Sequence, residues 1–469
     1  GIPGMDEITG GALPKARPTL IGGAAGCGKT LFAMEFLVNG ATQYDEPGVF
    51  VAFEENAEEL AQNVASLDFD LKKLGKQKKL IVDHVHVERS EIEETGDYDL
   101  DGLFIRLGHA IDSIGAKRVV LDTIEVLFSV LSNQGILRAE LHRLFRWLKD
   151  KGVTAVITAE RGNGAMTRFG LEEYVADCVI TLDHRVNEQI STRRLRIVKY
   201  RGSLHGTNEY PFLIGRHGIS VLPITSLGLE HHVSTERVST GIKELDEMLG
   251  GRGFYRGSSI LLSGSAGTGK TTLAAAFADE ACQRGERCLY FAFEESSNQI
   301  LRNMRSVGID LAPHIKKGLL RFHVARPSQY GLEMHLVSVY DMIREFKPSV
   351  VIMDPITDFS TVGNAAEIKS AVTRIIDFLK SNQITGLFVT MISGDEAADR
   401  SVVGISSLID AWISLRNLEN NGERHRGLFV LKSRGMSHSN QIRSFELTSD
   451  GIKIGERDLA GQGTRFSRT

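Results

Sequence analysis

A chain of 469 residues is longer than one hydrophobic core usually serves, which predicts two domains of about 200 residues each. With 42% hydrophobic and 24% charged residues the composition is that of a globular protein, and no apolar run is long enough to span a bilayer, so no membrane association is expected and the cytoplasm is the expected compartment. The 55 basic residues against 59 acidic ones lack the basic excess of a duplex-binding surface, and Cys27, Cys178, Cys282 and Cys288 form no CxxC, so neither a nucleic-acid partner, a disulfide framework nor a Cys/His metal site is expected.

The first strand-like run, PTLIGG, leads into GAAGCGKT (Gly23 to Thr30), which satisfies G-x-x-x-x-G-K-[ST] with a helical pattern following from Lys29. Gly23, Gly26 and Gly28 let the backbone wrap around phosphate and turn several N–H groups inward, and the helix N-terminus adds partial positive charge. Lys29 would reach the β- and γ-phosphates, and Thr30 would ligate Mg²⁺ through its hydroxyl. The next apolar run, GVFVAF, ends in Glu54 and Glu55, with a helical pattern from Ala57. RVVLD then ends in Asp122, where a strand-end aspartate would hold or polarise the Mg²⁺ shell. After VTAVITA, the segments RRLRIVKYRG and YPFLIGRHGISVLP read as an antiparallel meander at the sheet edge. In KYRG, Lys199 and Arg201 sit two apart and so project from one face of a strand.

The same landmarks then recur in the same order. GSAGTGKT (Gly264 to Thr271) repeats the phosphate loop with Gly264, Gly267, Gly269, Lys270 and Thr271; FAFEESS repeats the paired acids as Glu294 and Glu295; SVVIMDPI repeats the strand-end aspartate as Asp354; and VLKSRGMSH repeats the two cations as Lys432 and Arg434. Two units follow, residues 1–223 and 236–454, with residues 224–235 as a linker in which His231 and His232 are read as solvated, and a polar, Gly-rich frayed tail over 455–469. Buried Val, Ile and Leu runs alternating with helical patterns predict an α/β fold in each unit, built on a mostly parallel sheet.

In phosphate-loop enzymes a carboxylate near the γ-phosphate orients or deprotonates the attacking group. Adjacent strand residues point to opposite faces, so the paired acids have different duties. Glu54 and Glu294 are assigned to the metal and nucleophile side, and Glu55 and Glu295 assist; the alternative is that each pair only begins the next helix as favourable first-turn acids. The paired cations suit a γ-phosphate held by an adjoining subunit, in the manner of an arginine finger, or else lie on a solvated edge strand.

Taken together, GAAGCGKT, FEE, VVLD, KYRGSLH, their second copies and RFGLEEYVADCVITL resemble the RecA/DnaB-like ATPases, and most closely the KaiC family of circadian-clock ATPases and autokinases, over nearly the whole chain. The resemblance implies tandem RecA-like domains in a double-tiered homohexamer, with ATP or ADP and Mg²⁺ at subunit interfaces. It further implies hydrolysis mainly in the first tier, and kinase with reverse phosphatase activity in the second. It implies further nucleotide contacts at Cys27, Leu31, Ser66, Tyr200, Ser203 and His205 in the first unit and at Thr268, Thr272, Arg426, Ser433, Gly435 and His438 in the second, with Glu294 joining Thr30 and Thr271 as metal ligands. The family's phospho-acceptor pair falls on Ser406 and Ser407 in GISSLIDAW, and a further acceptor-like position falls on Ser401. A KaiB-like protein is an implied partner of the first tier. The looped segment to which KaiA binds in the clock protein has no counterpart pattern here, so KaiA is not an expected partner. The competing readings are a RecA-like nucleic-acid motor and a signalling ATPase of this family with no oscillator.

Overall fold

A computed structural model describes residues 1–67, 69–85, 100–128, 134–162, 175–187, 190–215, 217–223, 233–329, 331–392, 405–420, 423–458 and 465–466. The chain divides into two compact units, Gly1–Ser226 and Leu227–Thr469.

In the first unit the strands are β1 (Pro18–Gly23), β2 (Gly48–Ala52), β3 (Leu80–His84), β4 (Arg118–Asp122), β5 (Thr154–Glu160), β6 (Cys178–Asn187), β7 (Ile190–Tyr200), β8 (Glu209–Gly215) and β9 (Gly218–Val221). They form one sheet in the order β3-β2-β4-β5-β1-β6-β7-β8-β9. Pairing is parallel from β3 to β6 and antiparallel from β6 to β9, as the meander reading expects. Helices cover both faces of the parallel part, and this is why its strands are apolar throughout rather than alternating. Ile21, Phe50, Val120 and Val156 pack into one core, and their neighbours Leu20, Val49, Val119 and Ala155 pack into another on the opposite face.

The second unit opens with a short antiparallel pair, β10 (Arg237–Val238) with β11 (Phe254–Tyr255). Its main sheet comprises β12 (Ser259–Gly264), β13 (Cys288–Ala292), β14 (Leu320–Val324), β15 (Val350–Asp354), β16 (Thr385–Met391), β17 (Ala411–Asn420), β18 (Glu423–Ser433), β19 (Arg443–Thr448) and β20 (Gly451–Asp458). The order β14-β13-β15-β16-β12-β17-β18-β19-β20 repeats that of the first unit strand for strand. A final strand, β21 (Arg465–Phe466), pairs with Leu418 and Glu419 of β17.

Where a frayed tail is expected over 455–469, the described residues there, 455–458 and 465–466, are paired strand. Backbone pairing carries β20 past Ile454 to Asp458, where Asp458 meets Arg443 of β19, and β21 pairs with the end of β17 that runs past β12. Main-chain hydrogen bonds hold these stretches, and they are indifferent to the polar, Gly-rich side chains that suggested fraying. Residues 224–232, with His231 and His232, lie outside the described residues, as does Ser401.

Candidate nucleotide sites at the ends of the parallel strands

A parallel sheet gathers the C-terminal ends of its strands along one edge, and ligands bind where the strand order reverses. Here β1 lies between β5 and β6 while the chain passes from it to β2, beyond β4; β12 does the same in the second unit. The phosphate loops leave from these strands. Gly28 and Gly269, at φ 104° and 98°, are the N-caps of the helices Lys29–Gln43 and Lys270–Gln283, a backbone state that favours glycine. At Gly269 a side chain would also press on the Phe445 ring, 2.8 Å from the added carbon.

Lys29 Nζ donates to the carbonyls of Gly23 (2.9 Å) and Ala24 (3.0 Å), and Lys270 Nζ donates to those of Gly264 (2.8 Å) and Ser265 (2.7 Å). Both ammonium groups are thus held within their own loops. Burial pulls Lys270 below the ordinary lysine value, against the charges of Asp354 and Glu294. Cys27 and Thr268 occupy equivalent places beneath the loops. The Cys27 thiol is buried and its pKa raised by that burial; Thr268 Oγ1 donates to the Ser265 carbonyl at 2.9 Å. Leu31 and Thr272 follow on the first helical turn, and Thr272 is buried.

Asp122 and Asp354 end β4 and β15 beside these loops and are almost wholly buried. Burial raises both carboxyls; hydrogen bonds from Thr30 to Asp122 and from Thr271 to Asp354 work the other way. Each aspartate has a second hydroxyl partner, Thr158 Oγ1 for Asp122 and Tyr290 Oη, at 2.7 Å, for Asp354.

The paired glutamates do not begin helices. The helices that follow start at Ala57 and Ser297, each with a capping box of its own, Asn56 with Glu59 and Ser296 with Gln299. The acids therefore stand before the caps, on the turn leaving β2 and β13. The two acids of each pair have different surroundings. Asn63 donates to Glu55 at 3.2 Å and Asn303 donates to Glu295 at 3.3 Å, so the second acid of each pair is tied to the next helix. Glu54 and Glu294 are exposed and sit within the field of the loop lysine and the buried aspartate. Partial burial, then Glu160, Asp122 and Glu55, raise Glu54, opposed by Lys29.

Sequence reasoning missed a further carboxylate at each site. In the first unit it is Glu160, whose backbone is in register with Gly23. In the second the equivalent position is Met391, and the acid is instead Asp358, raised to about 6 by burial and by Glu294 and Asp354. A spacing rule could not have found either, because the two copies place this acid on different elements. Also missed was an open cleft of about 510 Å³ beside Ala266 and Gly267, walled by Asn417, His425 and Ser444 to Thr448. Of the predicted contacts, Gly267 and Arg426 line it.

The remaining predicted contacts lie elsewhere. Lys432 pairs with Trp412 at the start of β17, and Lys199 with Val179 at the start of β6, whereas the phosphate loops leave the far ends of the neighbouring β12 and β1. At about 3.3 Å per residue, a strand such as β12 puts roughly 20 Å between these two edges. Tyr200, Arg201, Ser203 and His205 share this second edge in the first unit, and Ser433, Arg434, Gly435 and His438 share it in the other. Tyr200 Oη donates to the Ala12 carbonyl at 2.8 Å. Ser66 stands apart from both groups, on an exposed single turn after the helix Ala57–Val64.

Ser406 and Ser407 also lie at the second edge. They form a turn just before β17, in which Lys432 Nζ donates to the Ser406 carbonyl (2.7 Å), Arg434 to the Ser407 carbonyl (2.5 Å) and Lys380 to the Leu408 carbonyl (3.1 Å). Lys380 also pairs with Asp410 at 2.9 Å. Burial, together with the neighbouring cations Arg434 and Lys380, lowers Lys432, while Asp410 opposes them.

A family model described as the KaiC ATPase matches residues 1–226 and again residues 238–458. The chain belongs to the KaiC family. Among its relatives, the circadian clock protein KaiC2 of Synechocystis sp. is 59% identical over 472 aligned residues, covering 100% of this chain and 83% of that protein. The circadian clock oscillator protein KaiC of Parathermosynechococcus lividus is 38% identical over 100% of this chain and 88% of its own length. KaiC3 of Synechocystis sp. is 39% identical over 98% and 92% respectively. With a KaiC ATPase domain in each unit, this KaiC-family chain is an ATP-hydrolysing enzyme. Among the described residues no helix is long and apolar enough to cross a membrane.

Mg²⁺ fits what is present. Among the described residues no group of three His, Cys, Asp or Glu side chains gathers into a cage. Each site instead offers a threonine hydroxyl and a buried carboxylate, and a hard cation of this kind is commonly held by one or two such oxygens together with phosphates and water. Thr30 with Asp122, and Thr271 with Asp354, would hold it, where it would offset charge between the terminal phosphates.

Proposed function

We propose that this KaiC-family chain hydrolyses ATP in its first unit and, in its second, transfers the γ-phosphoryl of ATP to Ser406 and Ser407 of an adjoining copy, as a component of a clock or timer like the relatives named for one. The observation that carries this reading is the placement of the acceptor turn. Ser406 and Ser407, with Lys432 and Arg434 upon their carbonyls, sit at the edge of the sheet opposite the chain's own phosphate loop. Neither the hydroxyls nor the cations can meet the phosphate that their own Lys270 would hold. A head-to-tail ring, a homohexamer of two tiers, brings one chain's acceptor edge to the next chain's loop edge and supplies the missing half of each site. Lys199 and Arg201 occupy the equivalent edge in the first unit and would reach across in the same way.

In this reading Lys270 and the loop N–H groups hold the triphosphate, and Glu294 of the same chain takes the proton from the incoming serine hydroxyl. The serine oxygen bonds to the γ-phosphorus as the bond to ADP breaks, and Lys432 and Arg434 meet the charge that develops on the transferred group. In the first unit Glu54 positions water in place of a hydroxyl.

The test is made in mixed assemblies. Chains carrying Lys270→Ala and chains carrying Ser406→Ala with Ser407→Ala are combined with γ-labelled ATP, and label is expected on the Lys270→Ala chains. Its complete absence from verified mixed rings would overturn transfer between chains.

A further inference from the structure

The two sites hold their strand-end aspartates with hydroxyls from opposite neighbours. In the first unit the donor is Thr158, on β5; in the second it is Tyr290, on β13. Strand register makes the exchange explicit. Val120 faces Phe50 across β2, and the equivalent Ile352 faces Tyr290 across β13. Ile21 faces Thr158 across β5, and the equivalent Leu262 faces Val389 across β16. Thus the first unit has Phe50 with Thr158, and the second has Tyr290 with Val389. Each pair carries one hydroxyl, and in each it reaches the same carboxylate.

This constancy is not a packing requirement. All four side chains are fully buried, and a Phe with a Val would fill the same space without any polar atom. What the hydroxyl adds is a donor to an aspartate whose other described hydroxyl partner, Thr30 or Thr271, is a side chain proposed to ligate the metal. A carboxylate fixed on its inner side by a hydroxyl buried in the sheet presents its outer side toward the phosphate loop in one orientation. Without that donor, a buried carboxylate oxygen is left unpaired, a state that costs free energy and that rotation or protonation of the group relieves.

We propose that Tyr290 and Thr158 are positioning residues for the metal-facing aspartates Asp354 and Asp122, and that the two arrangements are interchangeable solutions to one requirement. The proposal rests on those aspartates serving bound Mg²⁺, and the experiment separates the two claims.

Binding of a fluorescent ATP analogue to the full chain is titrated with Mg²⁺, in a Lys29→Ala background that reports the second unit alone. Asp354→Asn tests the underlying assignment; if it leaves the Mg²⁺ requirement unchanged, the aspartate is not metal-facing and the reading beneath the proposal fails. With that control in hand, Tyr290→Phe is expected to raise the Mg²⁺ concentration at half-saturation about 10-fold or more, the scale usual for removing a residue that orients a metal ligand. Adding Val389→Thr to Tyr290→Phe, which rebuilds the arrangement of the first unit, is expected to restore it. A purely structural tyrosine would shift melting temperature without moving the Mg²⁺ requirement. In a Lys270→Ala background, Thr158→Val and its rescue by Phe50→Tyr repeat the test on the first unit. The proposal is overturned if Tyr290→Phe and Thr158→Val leave the Mg²⁺ requirement where it was, or if the exchanged hydroxyl rescues in neither unit.

Discussion

At the scale of single residues, the proposed duties of the loop lysines and of the first glutamate of each pair are separable by experiment. Lys29→Ala and Lys270→Ala each remove the charge that offsets the terminal phosphates. Each is expected to abolish binding at one of two distinct sites, so that saturating nucleotide falls from two per chain to one; a wild-type chain that binds only one would contradict this. Glu294→Gln keeps the size of the side chain and removes the proposed base. ATP should remain bound in the second unit while label on Ser406 and Ser407 falls by about 100-fold or more, the range usual for loss of a general base. Glu54→Gln should depress hydrolysis in the first unit and leave the serines competent, which labelling and phosphate release measure independently. The phosphate loops, paired acids and strand-end aspartates were legible in the sequence because each is a local pattern at a strand end, written twice. Thr158 and Tyr290 were not, because they lie inside apolar strands. Which strand neighbours an aspartate depends on the crossover order, and that leaves no trace in local spacing. Ser406 and Ser407 could be singled out only by resemblance, since two serines in a turn are unremarkable by themselves.

At the scale of elements, the helix Lys29–Gln43 has a device that its counterpart lacks. Glu35 is wholly buried and accepts a hydrogen bond from the backbone N–H of Ile219 at 2.6 Å, so that it ties the helix of the phosphate loop to β9. The equivalent residue in the helix Lys270–Gln283 is Ala276. Burial raises the Glu35 carboxyl to about 7, against hydrogen bonds from Ile219 and Asn39. A raised carboxyl binds its proton more tightly in the folded state, so the stability it contributes is full below about pH 4.5 and is lost as pH rises through about 7. The shift corresponds to up to about 3 kcal/mol. Melting of the first unit followed from pH 5 to pH 8 should therefore fall for the wild type and flatten for Glu35→Gln, whose amide oxygen can still accept from Ile219; equal slopes would show that Glu35 is not the titrating group. The alternation of strands and helices was legible from buried apolar runs joined by helical patterns. The last strands were not, because main-chain pairing sustains β20 through Asp458 where side-chain composition suggested a loose end.

At the scale of the whole molecule, the repeated strand order makes the two units variations on one scaffold, and each carries its phosphate loop and its paired cations on opposite edges. If those cations serve a neighbouring chain's nucleotide, assembly is linked to ligand. Mg-ATP should then favour rings and its removal should favour smaller species, by the mass action that joins any ligand to the state it binds. Sedimentation with and without nucleotide measures this, and a uniform monomer in saturating Mg-ATP would refute it. The separation of the acceptor turn from the loop has a kinetic corollary. If transfer follows the proposed geometry, a lone chain is never its own substrate, and labelling runs only within an assembled ring. Diluted below the concentration at which rings persist, its rate per chain should collapse rather than level off, and the modification would then report how crowded the protein is as well as how long it has been running.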